Sequence, residues 1–578
     1  MDRRKFIVNS SGMVLSTPFF ETFPQEVWQK SQRRMVPDEN LVLALTQEND
    51  RGMSTLLQRQ QVQAGHPFFG GFPNQYQLYH AMSAAVFLQR AASAWVSPES
   101  VYVKSPTLVE AMERALTFLH KVQYEDGTID LLTTNFHSTP DTAFVVEPVA
   151  LGYGLMVKEG EREEVASILA LWKSFLIQAG RALSSGGIHT PNHRWVVCMA
   201  LARLQSLFPN SLYQERIGEW LAEGIDIDPD GQYTEKSTHI YSPLTNRCLI
   251  TIARLTDRED LLDPVRKNLE MTLYYLHPDN SVATEASRRQ DQFQQGSLQQ
   301  YVYPYRYMAI REGNGRFSAI SQVMMRQLTL PQLVRNLGYL QEDAFLRQDL
   351  PAEKELPESY VREFPYSQLL RIRRGKRDGT ILANNERFFT FQVGEARILA
   401  IRIACAFFGK GQFLAGKIRR EDNSYVLEQS LSGPYYQPLA QEQISGDGNW
   451  EKMPRSKRIQ SEIQRLTAQI KIEEFQEGFR LQYNWEGTEH IPIALEIGFP
   501  KEGKLKGISA LAHTKDAFLL EEGMGVFQVG EDRISFGPGR AEHSYVAIRG
   551  ALPKIPGNSV YLTGYTPFKG VLEIQALS

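Results

Sequence analysis

Thr139-Pro140-Asp141, Thr190-Pro191-Asn192-His193 and Tyr241-Ser242-Pro243 are three places where a hydroxyl residue followed by proline precedes an apolar helical run. A Ser or Thr N-cap satisfies one orphan N–H of a helix start, and proline at the first helical position has no N–H to satisfy. Thr139, Thr190 and Ser242 are therefore the expected caps of three helices. Their prolines lie 51 (191 − 140) and 52 (243 − 191) residues apart. A period near fifty is two helices with their connections, which is the mark of repeated helical hairpins. If alternate helices begin at the same end of such an array, His137, Asp141, Asn192, His193, His239 and Tyr241 converge there.

Outward from these starts, apolar residues recur at helical spacing from about Asn40 to Leu350, as in Leu108, Met112, Ala115, Leu116 and Leu119. The loops between are of one kind, with Asp126-Gly127, Ser185-Gly186-Gly187, Asp230-Gly231 and Asp279-Asn280 turns. Helical hairpins repeated in this way can close into an (α/α) toroid whose inner helix starts share one rim. After Pro351 the pattern changes to short alternating or wholly apolar runs, such as Phe388 to Val393, Ile398 to Ile403 and Phe479 to Tyr483, bounded by turn residues. These predict an antiparallel β-sandwich. The expected division is an export signal over 1–30, a helical toroid over 40–350 and a β-sandwich over 366–578. The basic run Arg371, Arg373, Arg374, Lys376, Arg377 opens the last of these and reads as a solvated strand and turn in preference to a polymer-binding patch.

A chain of 578 residues exceeds one ordinary core, and 42% hydrophobic with 22% charged residues is a soluble globular composition. A net charge of −3 argues against general nucleic-acid affinity. No run reaches the roughly 18 apolar residues of a membrane helix. Cys198, Cys248 and Cys405 are scattered, without CxxC spacing, and read as buried thiols. The start, Met1-Asp2-Arg3-Arg4-Lys5-Phe6-Ile7, puts two arginines ahead of a weakly apolar stretch and resembles a twin-arginine export signal. A periplasmic or secreted protein is the expectation, with a basic start to a cytoplasmic protein as the alternative.

Three clusters carry chemistry. At the Thr190 helix start, Asn192 and His193 sit beside free N–H groups and the positive end of the helix dipole, where an anion is welcome. In Asp230-Gly-Gln-Tyr-Thr-Glu-Lys-Ser-Thr-His-Ile-Tyr241, the residues Tyr233, Glu235, Ser237, His239 and Tyr241 supply no apolar face, so packing does not explain them. The third cluster is Glu285-Ala-Ser-Arg288-Arg289-Gln-Asp291, followed by Tyr301, Tyr303, Tyr305 and Tyr307. Guanidinium forks grip carboxylates and tyrosine rings stack on pyranose faces, so this cluster suits a carboxylated sugar. A surface ion-pair network with Glu285 and Asp291 is the plainer reading.

An Asn-His pair at an inner-helix start, then an Asp-Gly…Glu-x-Ser…Tyr loop about fifty residues on, then a Ser-Arg-Arg segment, resembles the order of catalytic parts in the heparinase II/III, alginate and chondroitin/hyaluronate lyases. The resemblance covers the domain order of nearly the whole chain. It implies a toroid plus β-sheet fold and β-elimination on a uronic-acid-containing glycan, with no metal or other cofactor. It further implies Asn192 and His193 at the uronate carboxylate, His239 or Tyr241 as base, Tyr241 as acid, and Arg288 or Arg289 as clamps. His137, Asp141, Tyr233, Glu235, Arg289, Tyr301 and Tyr305 complete the expected substrate contacts. The spacing from Glu235 to Tyr241 is one residue longer than the heparinase-like pattern.

The chemistry holds without the family. A proton beside a carboxylate is weakly acidic, so elimination needs donors that offset the charge of the enolate-like intermediate, followed by general acid–base proton transfer. Two rivals use the same residues. A glycoside hydrolase on the toroid would employ Asp141 and Glu235 as paired carboxylates. A carbohydrate-binding protein without catalysis would keep the aromatic residues and arginines but tolerate loss of Tyr241 and His239.

Overall fold

The computed structural model describes residues 40–160, 163–444, 446–512 and 514–577, so the expected export signal over 1–30 lies outside the described residues. The chain forms two compact units that are not contiguous in sequence. One comprises Met1–Asp226, Pro243–Arg266 and Gln299–Glu355, and the other Ile227–Ser242, Lys267–Leu298 and Leu356–Ser578. Helix does give way to strand where the apolar period changes, at Ser359–Phe364. Two inter-helix loops, however, group with the strands.

The helical unit is the (α/α) toroid of stacked hairpins. Ala81–Val96, Thr139–Lys158 and Pro191–Leu207 pack side by side as an inner layer. Pro106–Val122, Glu163–Ser185 and Ser211–Ala222 form the outer one. The sequence sorts them. Pro106–Val122 buries one stripe, Leu108, Ala111, Met112, Ala115, Leu116, Phe118 and Leu119, whereas Thr139–Lys158 and Pro191–Leu207 are buried nearly all round, as inner helices must be. Turn residues close the hairpins. Gly127 adopts φ +87°, and a Cβ there would lie 2.2 Å from the Gln178 carbonyl, so only glycine fits.

The caps differ from expectation. Thr139–Lys158 is capped by Ser138, whose Oγ accepts from Asp141 N at 3.2 Å. Thr190 is the N-cap of Pro191–Leu207, but its hydroxyl donates to Asn192 Oδ1 at 2.6 Å instead of accepting a backbone N–H. The third helix starts at Tyr241, and Ser237 takes the capping part by accepting from Tyr241 N at 3.2 Å. In each case a proline tolerates a position within the first turn, so it marks the start only to within a residue or two.

The strand-containing unit is an antiparallel β-sandwich. One sheet runs Ser509–Ala510, Ala517–Leu519, Asn558–Tyr565, Pro492–Phe499, Ala396–Cys405, Phe389–Val393, Arg377–Leu382, Leu369–Arg374, Ser359–Phe364. The other runs Lys504–Lys506, Gly525–Val529, Asp532–Gly537, Phe568–Leu577, Gly478–Gly487, Gln460–Phe475, Ser424–Tyr436, Ile418–Glu421. Pairing is antiparallel throughout except where Ala517–Leu519 meets Asn558–Tyr565. Inward residues of both sheets share one core, with Phe389 and Phe391 of the first against Phe479 of the second at ring separations of 5.1 and 5.8 Å. The basic run at the start of this unit, expected as a solvated strand and turn, is solvated at the turn, where Lys376 is exposed, but not along the strand before it. Arg371 and Arg373 are buried, Arg371 for a reason given below and Arg373 with its Nε donating to Gly375 O at 3.2 Å. Cys198, Cys248 and Cys405 are free and buried, and burial pushes the Cys405 thiol up to about 11. Among the described residues no helix is long and apolar enough to cross a membrane.

Candidate active site

The predicted site residues divide between the units. His137, Asp141, Asn192, His193, Tyr301 and Tyr305 belong to the helical unit, and Tyr233, Glu235, His239, Tyr241, Arg288 and Arg289 to the strand-containing one.

Within the second set the structure brings two loops into one body. Arg288 N donates to Lys236 O at 2.7 Å, and Thr238 donates from its N to Ser287 Oγ at 3.3 Å and from its hydroxyl to Ala283 O at 2.6 Å. Asp291 caps the junction, its Oδ2 accepting from His239 N at 3.1 Å and from Ser287 Oγ at 3.0 Å. The Glu285-to-Asp291 segment is therefore not a surface ion-pair network. It is a clasp around the 233–241 loop, and Asp291 and Ser287 are fully enclosed.

The clasp sets the reactive side chains. Arg289 lies over the Tyr241 ring at 5.3 Å and faces Glu235 Oε2 at 3.2 Å. The Arg288 side chain is exposed, and among the described residues its guanidinium makes no hydrogen bond or ion pair. Tyr241 is half-buried, and its hydroxyl has no hydrogen-bond partner among the described residues. His239 Nδ1 lies 2.9 Å from Ser297 N and 3.2 Å from Ser297 O, so either neutral tautomer of the ring finds a backbone partner there. Burial lowers the pKa of this imidazole, and Asp291 opposes the shift.

Behind the clasp stands a buried charge network that sequence reasoning missed. His277 Nδ1 is 2.8 Å from Asp378 Oδ2, and its Nε2 is 3.3 Å from Glu285 Oε1. Arg371 Nη2 donates to the same Asp378 oxygen at 2.7 Å and to Leu276 O at 3.1 Å. Glu285 also accepts from Thr390 Oγ1 at 3.1 Å, and its backbone carbonyl accepts from Asn385 Nδ2 at 2.8 Å. Burial disfavours the imidazolium, but Asp378 and Glu285 outweigh it and hold His277 up to about 10. Burial likewise opposes the Glu285 charge, and His277 and Arg371 overcome it, keeping the carboxyl well below its usual range. No local signal announces this network, because His277 and Asp378 lie 101 residues apart. Burial of an arginine at an alternating-strand position is the one trace available.

In the helical unit Asn192 is 2% exposed, with its Oδ1 held by Thr190. His193 lies edge-on to Phe144 at 6.4 Å and to His189 at 6.1 Å. Asp141 accepts from Ser138 Oγ at 2.5 Å and from Asn135 Nδ2 at 2.8 Å, and burial raises its pKa despite both bonds. His137 is exposed, stacked on Tyr124 at 3.7 Å and paired with Asp126 at 3.0 Å. Three predicted contacts need correction. Tyr301 and Tyr305 are wholly buried, 5.8 Å apart, and Tyr233 is 1% exposed. A ring without an open face cannot stack on a pyranose, so these tyrosines are core. Their spacing of four residues, read as a ladder, is the one that places helical side chains on a common buried face. Among the described residues no group of three or more His, Cys, Asp or Glu is arranged to hold a metal.

No family model and no curated protein matches the chain. Among solved structures, the chondroitin AC lyase of Streptomyces coelicolor A3, in complex with chondroitin sulphate, is 13% identical over 95% of this chain and 80% of that one, with a TM-score of 0.52. The heparan sulfate lyase HepC of Pedobacter heparinus is 8% identical over 94% and 88%, with a TM-score of 0.44. The chain thus has the chondroitin-lyase-like fold, a helical toroid followed by antiparallel β-sheets.

Proposed function

We propose that this protein is a polysaccharide lyase that cleaves a uronic-acid-containing glycan by β-elimination. The observation that carries the proposal is the clasp, which holds Tyr241, His239, Arg288 and Arg289 on two mutually bonded loops. In the reaction the C5–H proton is removed, its electron pair forms the C4=C5 double bond, and the C4–O4 bond breaks as O4 takes a proton. Arg288 offers an open fork for the substrate carboxylate. Asn192 and His193, at the start of their helix, are suited to offset its charge as the enolate-like intermediate forms. Tyr241, half-buried beneath the Arg289 guanidinium, is the group that takes the C5 proton and returns one to O4, with His239 as the other candidate base. Export by way of the twin arginines belongs to the same reading.

Asp141 supports a second reading, hydrolysis with Glu235, because burial inclines its carboxyl toward the protonated form of a general acid. One screen separates them. Uronate polymers and oligosaccharides are incubated with the protein while ultraviolet absorbance of the new double bond and reducing ends are both followed. Elimination raises both, and hydrolysis raises reducing ends alone. On a substrate so found, Tyr241→Phe is expected to lower kcat by about 10²–10⁴. Full activity in that variant rules the mechanism out.

A further inference from the structure

One hairpin of the strand-containing unit is interrupted by a long excursion. Ser424–Tyr436 and Gln460–Phe475 pair antiparallel, yet the 23 residues from 437 to 459 (459 − 436) join them. Hairpins close most often with about 2–5 residues, and ordered connections beyond about 12–15 are usually functional. The base of this one is tied across. Gln437 N donates to Ile459 O at 2.9 Å, Gln437 Nε2 donates to Ser461 Oγ at 2.7 Å, and Arg458 Nη1 donates to Gln437 O at 3.0 Å.

Trp450 stands on this excursion with 54% of its surface exposed. The Arg458 guanidinium that holds Gln437 O lies 5.0 Å from the Trp450 ring centre, and that of Arg455 lies 5.1 Å from it. Arg458 Nη2 also donates to Met453 Sδ at 3.4 Å. The indole is thus fixed to the strand ends through Arg458 while most of it faces water. From Trp450 to Arg458 the chain carries four cations, Lys452, Arg455, Lys457 and Arg458, against one acid, Glu451. Arg455 pairs with Glu451 at 2.8 Å and Lys452 with Asp447 at 3.7 Å, and all four of these side chains are exposed. Such pairs contribute about 0–1 kcal/mol, so another anion displaces them easily. Lys457 is exposed and makes no ion pair among the described residues.

We propose that the 437–459 excursion is an auxiliary surface that holds an acidic polysaccharide chain, with the Trp450 ring against a sugar face and Lys452, Arg455 and Lys457 on its carboxylate or sulfate groups. A rigid indole with guanidiniums beside it is the combination that concentrates binding energy at interfaces. The charge selects the occupant. A second copy of the chain is the poorer fit, since a two-fold contact sets these cations against their own copies. The inference rests on the reading of the protein as an enzyme of acidic glycans, and it gives that enzyme a hold on the polymer that shares no residue with the clasp around Tyr241.

The test is biolayer interferometry of the full chain on immobilised heparin, chondroitin sulfate, polygalacturonate and neutral dextran, in a Tyr241→Phe background so that no probe is consumed. Binding is expected to at least one of the three acidic polymers and not to dextran, and the sulfated pair against polygalacturonate tells sulfate from carboxylate recognition. Adding Trp450→Ala, or Arg455→Gln with Lys457→Gln, should weaken that binding about tenfold. These positions are exposed, and unchanged melting of the variants shows that the fold is kept. No binding to any acidic polymer, or equal binding with and without the added substitutions, overturns the proposal. So does a dimer in size-exclusion chromatography that Trp450→Ala turns into monomer, because the patch then belongs to a second copy. Binding is read without turnover, so its failure leaves the proposed elimination standing, and a protein that binds but never eliminates refutes that reaction alone.

Discussion

Arg371 in the strand-containing unit and Arg203 in the helical unit are both almost wholly enclosed, yet their surroundings are charged differently. Around Arg371 two cations, Arg371 and His277, meet two anions, Asp378 and Glu285, and His277 takes up a proton to make the numbers equal. Around Arg203 two guanidiniums, Arg203 and Arg254, meet three carboxylates, Glu147, Glu342 and Asp343, with the Tyr339 hydroxyl bonded to Glu147. The first set closes on itself and is suited to holding a loop still, here the Glu285-to-Asp291 clasp behind Tyr241. The second joins Arg203 and Arg254, on two different helices, to Glu342 through guanidiniums that keep their protons at neutral pH. One buried cluster is thus set by a proton taken up on folding, the other by guanidiniums that do not titrate near neutral pH.

The comparison breaks most readily at Asp378. Asp378→Asn leaves Arg371 and His277 with Glu285 alone, and breaking a buried pair costs about 3–5 kcal/mol. Calorimetry of the full chain should show that loss in one transition, together with loss of turnover as the clasp loosens. A cost below about 1 kcal/mol would mean that the four charges are not a balanced set. The matching change in the helical unit, Glu147→Gln, keeps an oxygen for the Tyr339 hydroxyl and leaves Arg203 with Glu342. It should cost less, about 1.5–3 kcal/mol. A cost equal to that of Asp378→Asn would erase the difference between the clusters.

The smallest effect is in pH. Folded His277 keeps its proton up to about 10, whereas an unfolded histidine keeps it only to 6.5. Folding therefore takes up a proton between those values. The stabilisation is complete below 6.5, declines as pH rises through the window, and is gone above about 10. Melting temperatures from pH 7 to pH 10 should fall more steeply in the wild type than in His277→Gln. Parallel curves would show that His277 is not the charge-balancing member.

Much of the architecture is legible in the residues. Prolines 51 and 52 positions apart announce hairpins, and the change from helical to alternating apolar period near Pro351 announces the sandwich. Both are local patterns, set by backbone geometry repeating every 3.6 or 2 residues. The candidate site was legible in part. The 233–241 loop and the Ser287-Arg288-Arg289 segment stand out because their polarity has no packing explanation, and the structure binds them into one clasp. Tyr301 and Tyr305 misled because helical spacing places rings on a common face without saying whether that face is core or cleft. Arg371 misled because a strand's alternation does not say what charge waits on the buried side.

By itself, then, the amino-acid order determined the element types, their sequence of use and the chemistry available at each helix start. Tertiary structure alone decided which loops fold with the strands, that Asp291 and Ser287 lock His239 and Tyr241 beside Arg289, and that His277 is charged. The physical reason is range. Secondary structure follows from neighbours a few residues away, whereas a buried proton is set by partners such as His277 and Asp378, 101 residues apart, whose meeting no local pattern encodes.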